Sequence, residues 1–221
     1  MPVGIAVKVC GVTREEDVWM LDGIVDYIGF VVSRRGNLAG PRAVHPRKAR
    51  DLASSLSSSK PVAVLFDVTP SEALSMVEEL EVFPTIQYHR PLSPESVSEL
   101  ALDLMSVGAN LAPVSIWTGR GLTPDPCAIQ DASLEYLLVD ADKGLKEVYE
   151  GGLRAPLEAY RRAAACHSRA AAAGGVNQEN VCRALETGVS MVDVSSGVES
   201  SPGVKSRELV ARLLEVIGGC R

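Results

Sequence analysis

Two side chains that can transfer protons each end a short apolar run. Cys10 follows residues 5–9, and Asp140 follows residues 136–139. A cysteine acts as a base only as the thiolate, which a nearby cation or phosphate-binding dipoles can stabilise. A carboxyl group at the dry end of a buried strand is expected to have a raised pKa, as a general acid near neutral pH requires, because burial disfavours the anion. Taken alone, Cys10 also fits a small core residue and Asp140 a loop-capping residue.

Two loops of small residues follow the last two apolar runs of the chain. They contain Gly174, Gly175, Ser195, Ser196 and Gly197. Backbone N–H groups exposed at such a glycine pair, together with the dipole of a helix that begins nearby, form an anion site. Either loop alone is weak evidence, but two adjacent loops of this kind are much more specific. They predict a site for a phosphate group.

These residues need a scaffold that brings the ends of several strands together. Eight apolar runs with the length of strands cover residues 5–9, 27–32, 62–66, 85–88, 114–117, 136–139, 169–173 and 191–194. Segments with helical periodicity alternate with them and cover residues 15–21, 46–56, 71–80, 94–105, 156–165, 178–185 and 207–217, with at most a short helix within 124–132. The residues placed to cap four of these helices are Thr13, Thr69, Ser93 and Asn177.

The alternation of strands and helices limits the fold to two classes. Strands separated by helices must be parallel, which leaves an open doubly wound sheet or a closed barrel. The count of eight strands favours closure, and so does the concentration of polar and glycine residues just after the strands, where barrels have their active sites. We therefore predict an α/β protein of the (β/α)₈ TIM barrel class, in a single domain over residues 1–221.

The composition narrows the classes of partner. The formal net charge is -6 without a dense basic block, which argues against a nucleic-acid surface. The first residues form too short an apolar run for a secretory signal or membrane span, so we expect a cytoplasmic protein with no membrane partner. The five cysteines contain no CxxC pair and indicate neither a zinc site nor a disulfide framework. His89 has no spaced partner for metal binding, and no metal is expected.

Seven segments resemble, in order, the phosphoribosylanthranilate isomerase family of tryptophan biosynthesis. They are KVCGVTREED at 8–17, DYIGFV at 26–31, PRAV at 41–44, IQYH at 86–89, LVD at 138–140, AGGVNQENV at 173–181 and VDVSSGVE at 192–199. The first and last segments are specific to that family, and the order of the others adds information. The resemblance spans almost the whole chain. It implies a TIM-barrel isomerase that catalyses an Amadori rearrangement of a phosphorylated sugar.

The resemblance also implies roles for individual residues. Cys10 would be the general base and Asp140 the general acid. Arg42 would meet the anthranilate carboxylate, because a planar guanidinium can form two parallel hydrogen bonds to it. Asp193 and Gln87 would bind and orient the substrate. The phosphate would be held by Gly174, Gly175, Ser195, Ser196 and Gly197.

The implied chemistry also bounds cofactors and partners. Proton transfers suffice for this rearrangement, so no cofactor is expected. The partner is a phosphorylated small molecule, and the chain could be a monomer or a homodimer.

Two loops depart from the family pattern. Residues 33–40 form a longer and more basic loop than the family has, directly before Arg42. After the sixth predicted strand, the glycine-rich run of the family is reduced to Gly151 and Gly152. Arg154 could supply a charge in place of the lost backbone donors.

Two other interpretations stay open at this point. The chain could be another phosphosugar-binding barrel, such as a relative of indole-glycerol-phosphate synthase or ribulose-phosphate epimerase, since a fold does not assign a reaction. The synthase would use a catalytic lysine at a strand end and the epimerase a set of metal-binding residues, and neither is visible. The chain could also be a catalytically inactive barrel that serves as a binding subunit. The presence of both Cys10 and Asp140 speaks against this.

Overall fold

The computed structural model describes residues 4–66, 68–129 and 133–220, and within them eight parallel strands form a closed barrel. The strands are β1 (Ala6–Cys10), β2 (Tyr27–Val32), β3 (Lys60–Leu65), β4 (Thr85–Tyr88), β5 (Asn110–Trp117), β6 (Leu137–Ala141), β7 (Ala170–Ala172) and β8 (Met191–Val194). Each strand pairs with the next, and β8 pairs with β1. The predicted TIM barrel class is confirmed.

Helices connect the strands. They are α1 (Glu15–Leu21), α2 (Pro46–Ala53), α3 (Pro70–Met76), α4 (Pro94–Ser106), α5 (Leu157–Cys166), α6 (Val181–Leu185) and α7 (Arg207–Gly219). The described part of the β5–β6 connection contains the 3-10 helix Pro126–Ala128. Residues 130–132 of the short helix predicted there lie outside the described residues. After β8, the strands Glu199–Ser201 and Val204–Lys205 form a small hairpin.

The apolar residues of the strands divide between two clusters. Leu137 and Val139 of β6 belong to a large cluster that also contains residues of the helices, so it lies between barrel and helices. Leu138, between them, belongs to a second cluster with residues of β5, β7 and β8, which fills the inside of the barrel. Because successive side chains of a strand point to opposite faces, this parity tells which residues face inward. On that count Lys8, Cys10, Gln87, Asp140 and Asp193 all face the interior.

Two of the four predicted helix caps are confirmed. Thr69 forms a reciprocal capping box with Glu72, and Ser93 accepts a hydrogen bond from the backbone of α4. Thr13 was wrongly predicted as a cap, because α1 starts after Arg14 and the Thr13 hydroxyl donates to the carbonyl of Gly203 instead.

Asn177 was also wrongly predicted as a cap. Its side chain accepts from the Glu179 backbone N–H at 2.7 Å, which forms a turn, and α6 begins only after Asn180. The helix dipole invoked for the phosphate site therefore starts farther from Gly175 than the sequence suggested.

The spacing of the cysteines indicated no disulfide framework, but the described residues contain two disulfide bonds. Cys127 is bonded to Cys166, and Cys182 is bonded to Cys220, at sequence separations of 39 and 38 residues. The first bond ties the β5–β6 connection to α5, and the second ties α6 to the end of α7. No local spacing announces such pairs, because only the packing of the outer layer brings the cysteines together. Cys10 is the free cysteine among the described residues.

Candidate active site

A cavity of about 390 Å³ opens at the carboxyl ends of the barrel strands. Nine of the ten residues that sequence reasoning placed in the site line it, and they are Cys10, Arg42, Gln87, Asp140, Gly174, Gly175, Asp193, Ser195 and Ser196. Residues from six parts of the chain thus meet at one face of the barrel. Gly197 does not line the cavity.

One side of the cavity is built by β1 and β8. Their register places Lys8 opposite Asp193, and the Lys8 Nζ lies 2.7 Å from an Asp193 carboxylate oxygen, Oδ2. Although burial disfavours the ammonium ion, Asp193 holds the pKa of Lys8 above its ordinary value. Cys10 lies two residues farther along the same inward face. Burial raises the pKa of its thiol, and the Lys8 charge opposes that rise.

Within the described residues, the second oxygen of Asp193 has no hydrogen-bond partner. Its Oδ1 is buried, while Oδ2 accepts from Lys8. A buried carboxylate oxygen without a partner costs free energy, because it has lost water and gained nothing in return. It is therefore an acceptor open to a hydroxyl or amine that enters the cavity.

The opposite side of the cavity is built by β4 and β6. The Asp140 Oδ2 lies 3.2 Å from Nε2 of His89, and Oδ1 accepts from the backbone N–H of Ala141 at 2.7 Å. His89 Nδ1 lies 3.0 Å from the Gln87 amide nitrogen, and the Gln87 oxygen accepts from the Tyr136 hydroxyl at 2.8 Å. Because the Gln87 amide nitrogen can only donate, Nδ1 is the acceptor and the neutral imidazole carries its proton on Nε2, facing Asp140.

The expected rise in the pKa of Asp140 was wrong. Burial does raise the pKa of this carboxyl, but the hydrogen bond from His89, its electrostatic interaction with the imidazole and the N–H of Ala141 stabilise the anion more. The pKa of Asp140 therefore lies below the ordinary value. The expectation considered burial alone. Nothing in the sequence indicates that β4 brings the His89 imidazole next to the Asp140 carboxyl group on β6.

Arg42 lies at the rim of the cavity and is already paired. Its Nε and Nη2 bind the Glu199 carboxylate, with distances of 2.9 Å from Nε to Oε1 and 2.5 Å from Nη2 to Oε2. Lys205 Nζ holds the same carboxylate at 2.7 Å and also donates to the carbonyl of Cys10 at 2.6 Å. Among the described residues, no hydrogen bond is recorded from Nη1 of Arg42, which leaves one edge of the guanidinium open.

Close contacts between glycines and neighbouring loops bring the phosphate-site residues together. A Cβ on Gly175 would lie 2.3 Å from the Gly152 carbonyl oxygen, and one on Gly197 would lie 2.2 Å from the Val176 carbonyl oxygen. Asn180 fastens the same loops, since its side-chain amide donates to the carbonyls of Gly151 and Gly175, both at 2.9 Å. Gly197 therefore packs against the loop after β7, where any side chain would separate the two loops.

Arg154 follows the Gly151–Gly152 pair and is engaged within the protein. Its guanidinium donates to the carbonyl of Leu145, and its backbone N–H donates to the carbonyl of Gly174 at 2.8 Å. Its aliphatic part lies against Gly174 and Gly175. The residue thus supports the loop after β7, and it does not line the cavity.

Sequence reasoning assigned no role to five polar residues that hold the site. They are Lys8, Tyr136, Glu199, Lys205 and His89. For His89 the sequence excluded a metal site, and a catalytic role was not favoured. A usable signal exists for two of them. Lys8 lies two residues before Cys10 and His89 two residues after Gln87, so each shares a strand face with a predicted site residue. Glu199 and Lys205 carry no such signal, because the hairpin that places them was not predicted.

Neither a metal centre nor a membrane span is found in the described part of the chain. No group of three or more His, Cys, Asp or Glu side chains there could hold a metal ion. No described helix is long and apolar enough to cross a bilayer.

Comparison with known proteins gives a consistent picture. Residues 7–216 match the family model described as N-(5'phosphoribosyl)anthranilate (PRA) isomerase. The chain is 40% identical over 218 residues to the N-(5'-phosphoribosyl)anthranilate isomerase of Aeropyrum pernix, covering 95% of this chain and 96% of that protein. It is 41% identical over 213 residues to that of Pyrobaculum islandicum, covering 96% and 97%.

Solved structures agree on the fold. The phosphoribosyl anthranilate isomerase of Thermus thermophilus superposes with a TM-score of 0.75 at 26% identity, covering 98% of this chain and all of that one. A mutant tryptophan synthase α-subunit of Pyrococcus furiosus also superposes, with a TM-score of 0.68 at 17% identity and coverage of 97% and 96%. The second match shows the fold alone, and an enzyme of another name shares it.

Proposed function

The chain belongs to the N-(5'-phosphoribosyl)anthranilate isomerase family, and on that premise we propose how the residues of its cavity divide the chemistry. The enzyme converts N-(5'-phosphoribosyl)anthranilate to 1-(2-carboxyphenylamino)-1-deoxyribulose 5-phosphate in tryptophan biosynthesis. The observation that carries the assignment of roles is that Cys10 and Asp140 line one cavity together with the glycine and serine loops. One substrate bound in this cavity can therefore contact the proposed acid, the proposed base and the proposed phosphate site together.

Asp140 is the general acid of this proposal. It protonates the furanose ring oxygen, the C1'–O bond breaks, and the nitrogen lone pair forms the C=N bond of an open-chain Schiff base. Its place at the tip of β6 supports the role, since Oδ2 faces His89 and the side chain lines the cavity. His89 holds the carboxyl group in one orientation, as a general acid needs.

Cys10 is the general base. Its thiolate removes the proton from C2' of the Schiff base. The C–H electron pair forms the C1'=C2' bond, and the C=N π pair moves to the nitrogen, which gives an enolamine. The enolamine then gains a proton at C1' and loses the one on its enol oxygen, which yields the aminoketone. Two cationic groups near Cys10 support the role, since Lys8 lies on the same strand face and Lys205 binds the Cys10 carbonyl.

The free protein holds the acid and the base in the reverse of their working forms. The pKa of Cys10 is raised and that of Asp140 is lowered, so the thiol is protonated and the carboxyl is ionised. The working form, thiolate with carboxylic acid, contains the same number of protons. It is therefore a minor arrangement of one protonation state, and its share does not depend on pH between the two pKa values.

Asp193 orients the substrate, because its unpartnered Oδ1 is an acceptor for a ribose hydroxyl. Gln87 acts from farther back, since both ends of its amide are bonded within the protein, to His89 and Tyr136. We propose that it contributes to substrate binding mainly by fixing His89.

Arg42 receives the anthranilate carboxylate at its open Nη1 edge. Glu199 occupies the Nε edge and, with Lys205 behind it, fixes the plane of the guanidinium. Such a bidentate arrangement orients Arg42 before the substrate arrives, which lowers the entropy cost of binding. The longer loop before Arg42 therefore does not prevent its side chain from lining the cavity.

The phosphate is held by the loops after β7 and β8, through Gly174, Gly175, Ser195 and Ser196, with Gly197 allowing the loops to approach. In TIM barrels these two loops are the usual phosphate site. We further propose that residues 1–221 form one domain. The cytoplasmic location and the choice between monomer and homodimer stay predictions.

The fluorescence of the anthranilate group provides the test. Phosphoribosylanthranilate is generated in place, and its decay is followed with the wild type, with Cys10→Ala and with Lys60→Met, a control at the other end of the barrel. We expect rapid decay with the wild type and the control and almost none with Cys10→Ala. Decay no faster than the spontaneous background in the wild type, or full activity in Cys10→Ala, would refute the assignment. The same result separates an active enzyme from a barrel that only binds a partner.

A further inference from the structure

We propose that Lys8 is the positioning residue that makes Cys10 a usable base, and that Gly29 lacks a side chain because one would separate the two. The proposal rests on the base role assigned to Cys10. Lys8 touches no reacting atom in this account. It acts through the thiol.

The strand geometry places the two groups side by side. Lys8 and Cys10 are two residues apart on β1, so both point into the barrel. The Lys8 side chain is fully buried, which is rare for a lysine without a function or a partner. Its partner Asp193 satisfies one ammonium hydrogen and leaves two donors for other groups.

Gly29 on the neighbouring strand is the second observation. Its register partner on β1 is Cys10, and a Cβ added to Gly29 would lie 3.0 Å from the Cys10 sulfur and 3.1 Å from the Lys8 nitrogen. One point above Gly29 is therefore in contact with both atoms. Gly29 has no positive φ that would require glycine. The missing side chain is explained by the space that the lysine and the thiol occupy.

The surrounding charges decide what Lys8 does there. Asp193 works against the thiolate, while Lys8 and Lys205 favour it. Arg42 and the Tyr136 hydroxyl also lie within electrostatic reach of the thiol. Lys205 is bound to Glu199 and to the Cys10 carbonyl, and Arg42 is bound to Glu199. Lys8 is thus the cation whose side chain lies directly beside the sulfur.

A purely structural account of Lys8 is the alternative. In this account, the Lys8–Asp193 ion pair only holds β1 against β8, and Lys8 has no effect on the ionisation of the Cys10 thiol. The two accounts differ in one measurable quantity, the pH at which Cys10 ionises. Breaking a structural pair lowers stability, but does not predict a directed change in the ionisation of the thiol.

The test is the pH dependence of Cys10 alkylation by iodoacetamide without reductant, since the other four cysteines are bonded in pairs. Lys8→Met leaves Asp193 buried without its partner and could fail to fold. The double variant Lys8→Met with Asp193→Asn removes both charges and keeps the measurement possible. Lys8→Arg keeps the charge. Gly29→Ala inserts the missing methyl group, and Gly121→Ala, with open space around its Cβ, is its matched control.

Because Asp193 opposes the thiolate, the double variant is compared with Asp193→Asn alone and Lys8→Met with the wild type. In each comparison we expect the loss of Lys8 to raise the apparent pKa for alkylation by about 1 pH unit or more, which is about tenfold slower alkylation at neutral pH. Lys8→Arg should restore most of the difference. Gly29→Ala should raise the value by less, and Gly121→Ala should not change it. An apparent pKa in the folded double variant equal to that of Asp193→Asn alone would overturn the proposal. Failure of the base role is a separate result, because it would show as activity retained in Cys10→Ala.

Discussion

The two ends of the barrel treat their charged groups differently. At the amino end, Glu135 accepts from the Tyr27 hydroxyl at 2.8 Å and from Lys60 at 3.2 Å, and Asp22 accepts from the backbone and hydroxyl groups of residues 57–59. At the carboxyl end, and counting the partners that the described residues offer, Asp193 has an oxygen without a partner and Arg42 has an unbonded edge. These polar groups at the amino end form their hydrogen bonds within the protein, whereas those at the carboxyl end need a ligand to form all of theirs.

This difference separates stability from function. Polar groups that are satisfied within the protein stabilise the fold, while those left open cost stability and are retained for binding. Variants at the amino end should therefore change the free energy of unfolding and leave catalysis unchanged. Variants at the carboxyl end should do the reverse.

The largest effect is expected at the carboxyl end. Asp140→Asn should lower kcat by about 10³-fold or more, because the amide cannot donate a proton to the ring oxygen. Its midpoint of thermal unfolding should fall only slightly, since the amide oxygen can still accept a hydrogen bond while the stabilised anion is lost. Steady-state kinetics and calorimetry on one preparation provide both values. A large fall in the midpoint would show that Asp140 mainly stabilises the fold, and it would contradict the assignment of function to the carboxyl end and stability to the amino end.

A smaller effect, on stability alone, is expected in the outer layer. Replacing Cys182 and Cys220 by serine should lower the free energy of unfolding by about 2–4 kcal/mol, because the bond restricts the unfolded chain. The kcat should stay the same, since both residues lie away from the cavity. Denaturant unfolding with and without reductant measures the difference. If the wild type is insensitive to reductant and its thiols titrate as free, the bond is absent.

At the amino end, Glu135→Gln should cost about 1 kcal/mol of stability and leave kcat/KM unchanged. Although burial raises the pKa of Glu135, its bonds to Tyr27 and Lys60 lower it below the ordinary value. The stabilisation is therefore present above the unfolded pKa and lost as pH falls through the folded one. The stability difference between wild type and Glu135→Gln should thus vanish in acid. A difference that persists there would contradict the ionic origin.

The smallest effect is a displacement of a pH profile. In His89→Asn the new amide mimics Nδ1 but lacks the Nε2 donor, so the Asp140 anion loses a hydrogen bond and its pKa rises. The acid limb of kcat/KM follows this pKa and should move to higher pH by about 1 unit. The substrate phosphate titrates equally in both proteins and cancels in the comparison. An unmoved acid limb would mean that His89 does not control the ionisation of Asp140.

The barrel could be predicted from the sequence because most of its strands are short apolar runs that are easily recognised. Residues 27–32, 85–88 and 191–194 were predicted with the bounds observed, since apolar runs end there at polar residues. The starts of β3 and β5 were missed, because Lys60 with Pro61 and Asn110 with Pro113 are unusual in strands. Local propensity misjudges such positions when tertiary pairing determines them.

The site followed only in part. The motifs that resemble the family identified most of its residues, and the position of Cys10 at the end of the first strand indicated that it belongs to the site. The partners of these residues were not predictable. His89 follows β4 and contacts Asp140 on β6, with β5 between them, and Glu199, which binds Arg42, lies on a hairpin that the sequence does not indicate. The direction of the Asp140 pKa was wrong for this reason. The disulfides were missed likewise, because their cysteines meet only in the folded outer layer.

Trapping the open-chain Schiff base is the measurement that tests the division of labour between Asp140 and Cys10 most directly. Cyanoborohydride is added to each variant during turnover, and the reduced open-chain amine is counted by mass spectrometry against a sample without enzyme. The account predicts that Cys10→Ala accumulates the trapped product, because ring opening proceeds and C2' proton removal stops, while Asp140→Asn gives no more than background. Trapped product in Asp140→Asn and none in Cys10→Ala would reverse the assignment, and equal amounts in both would contradict it.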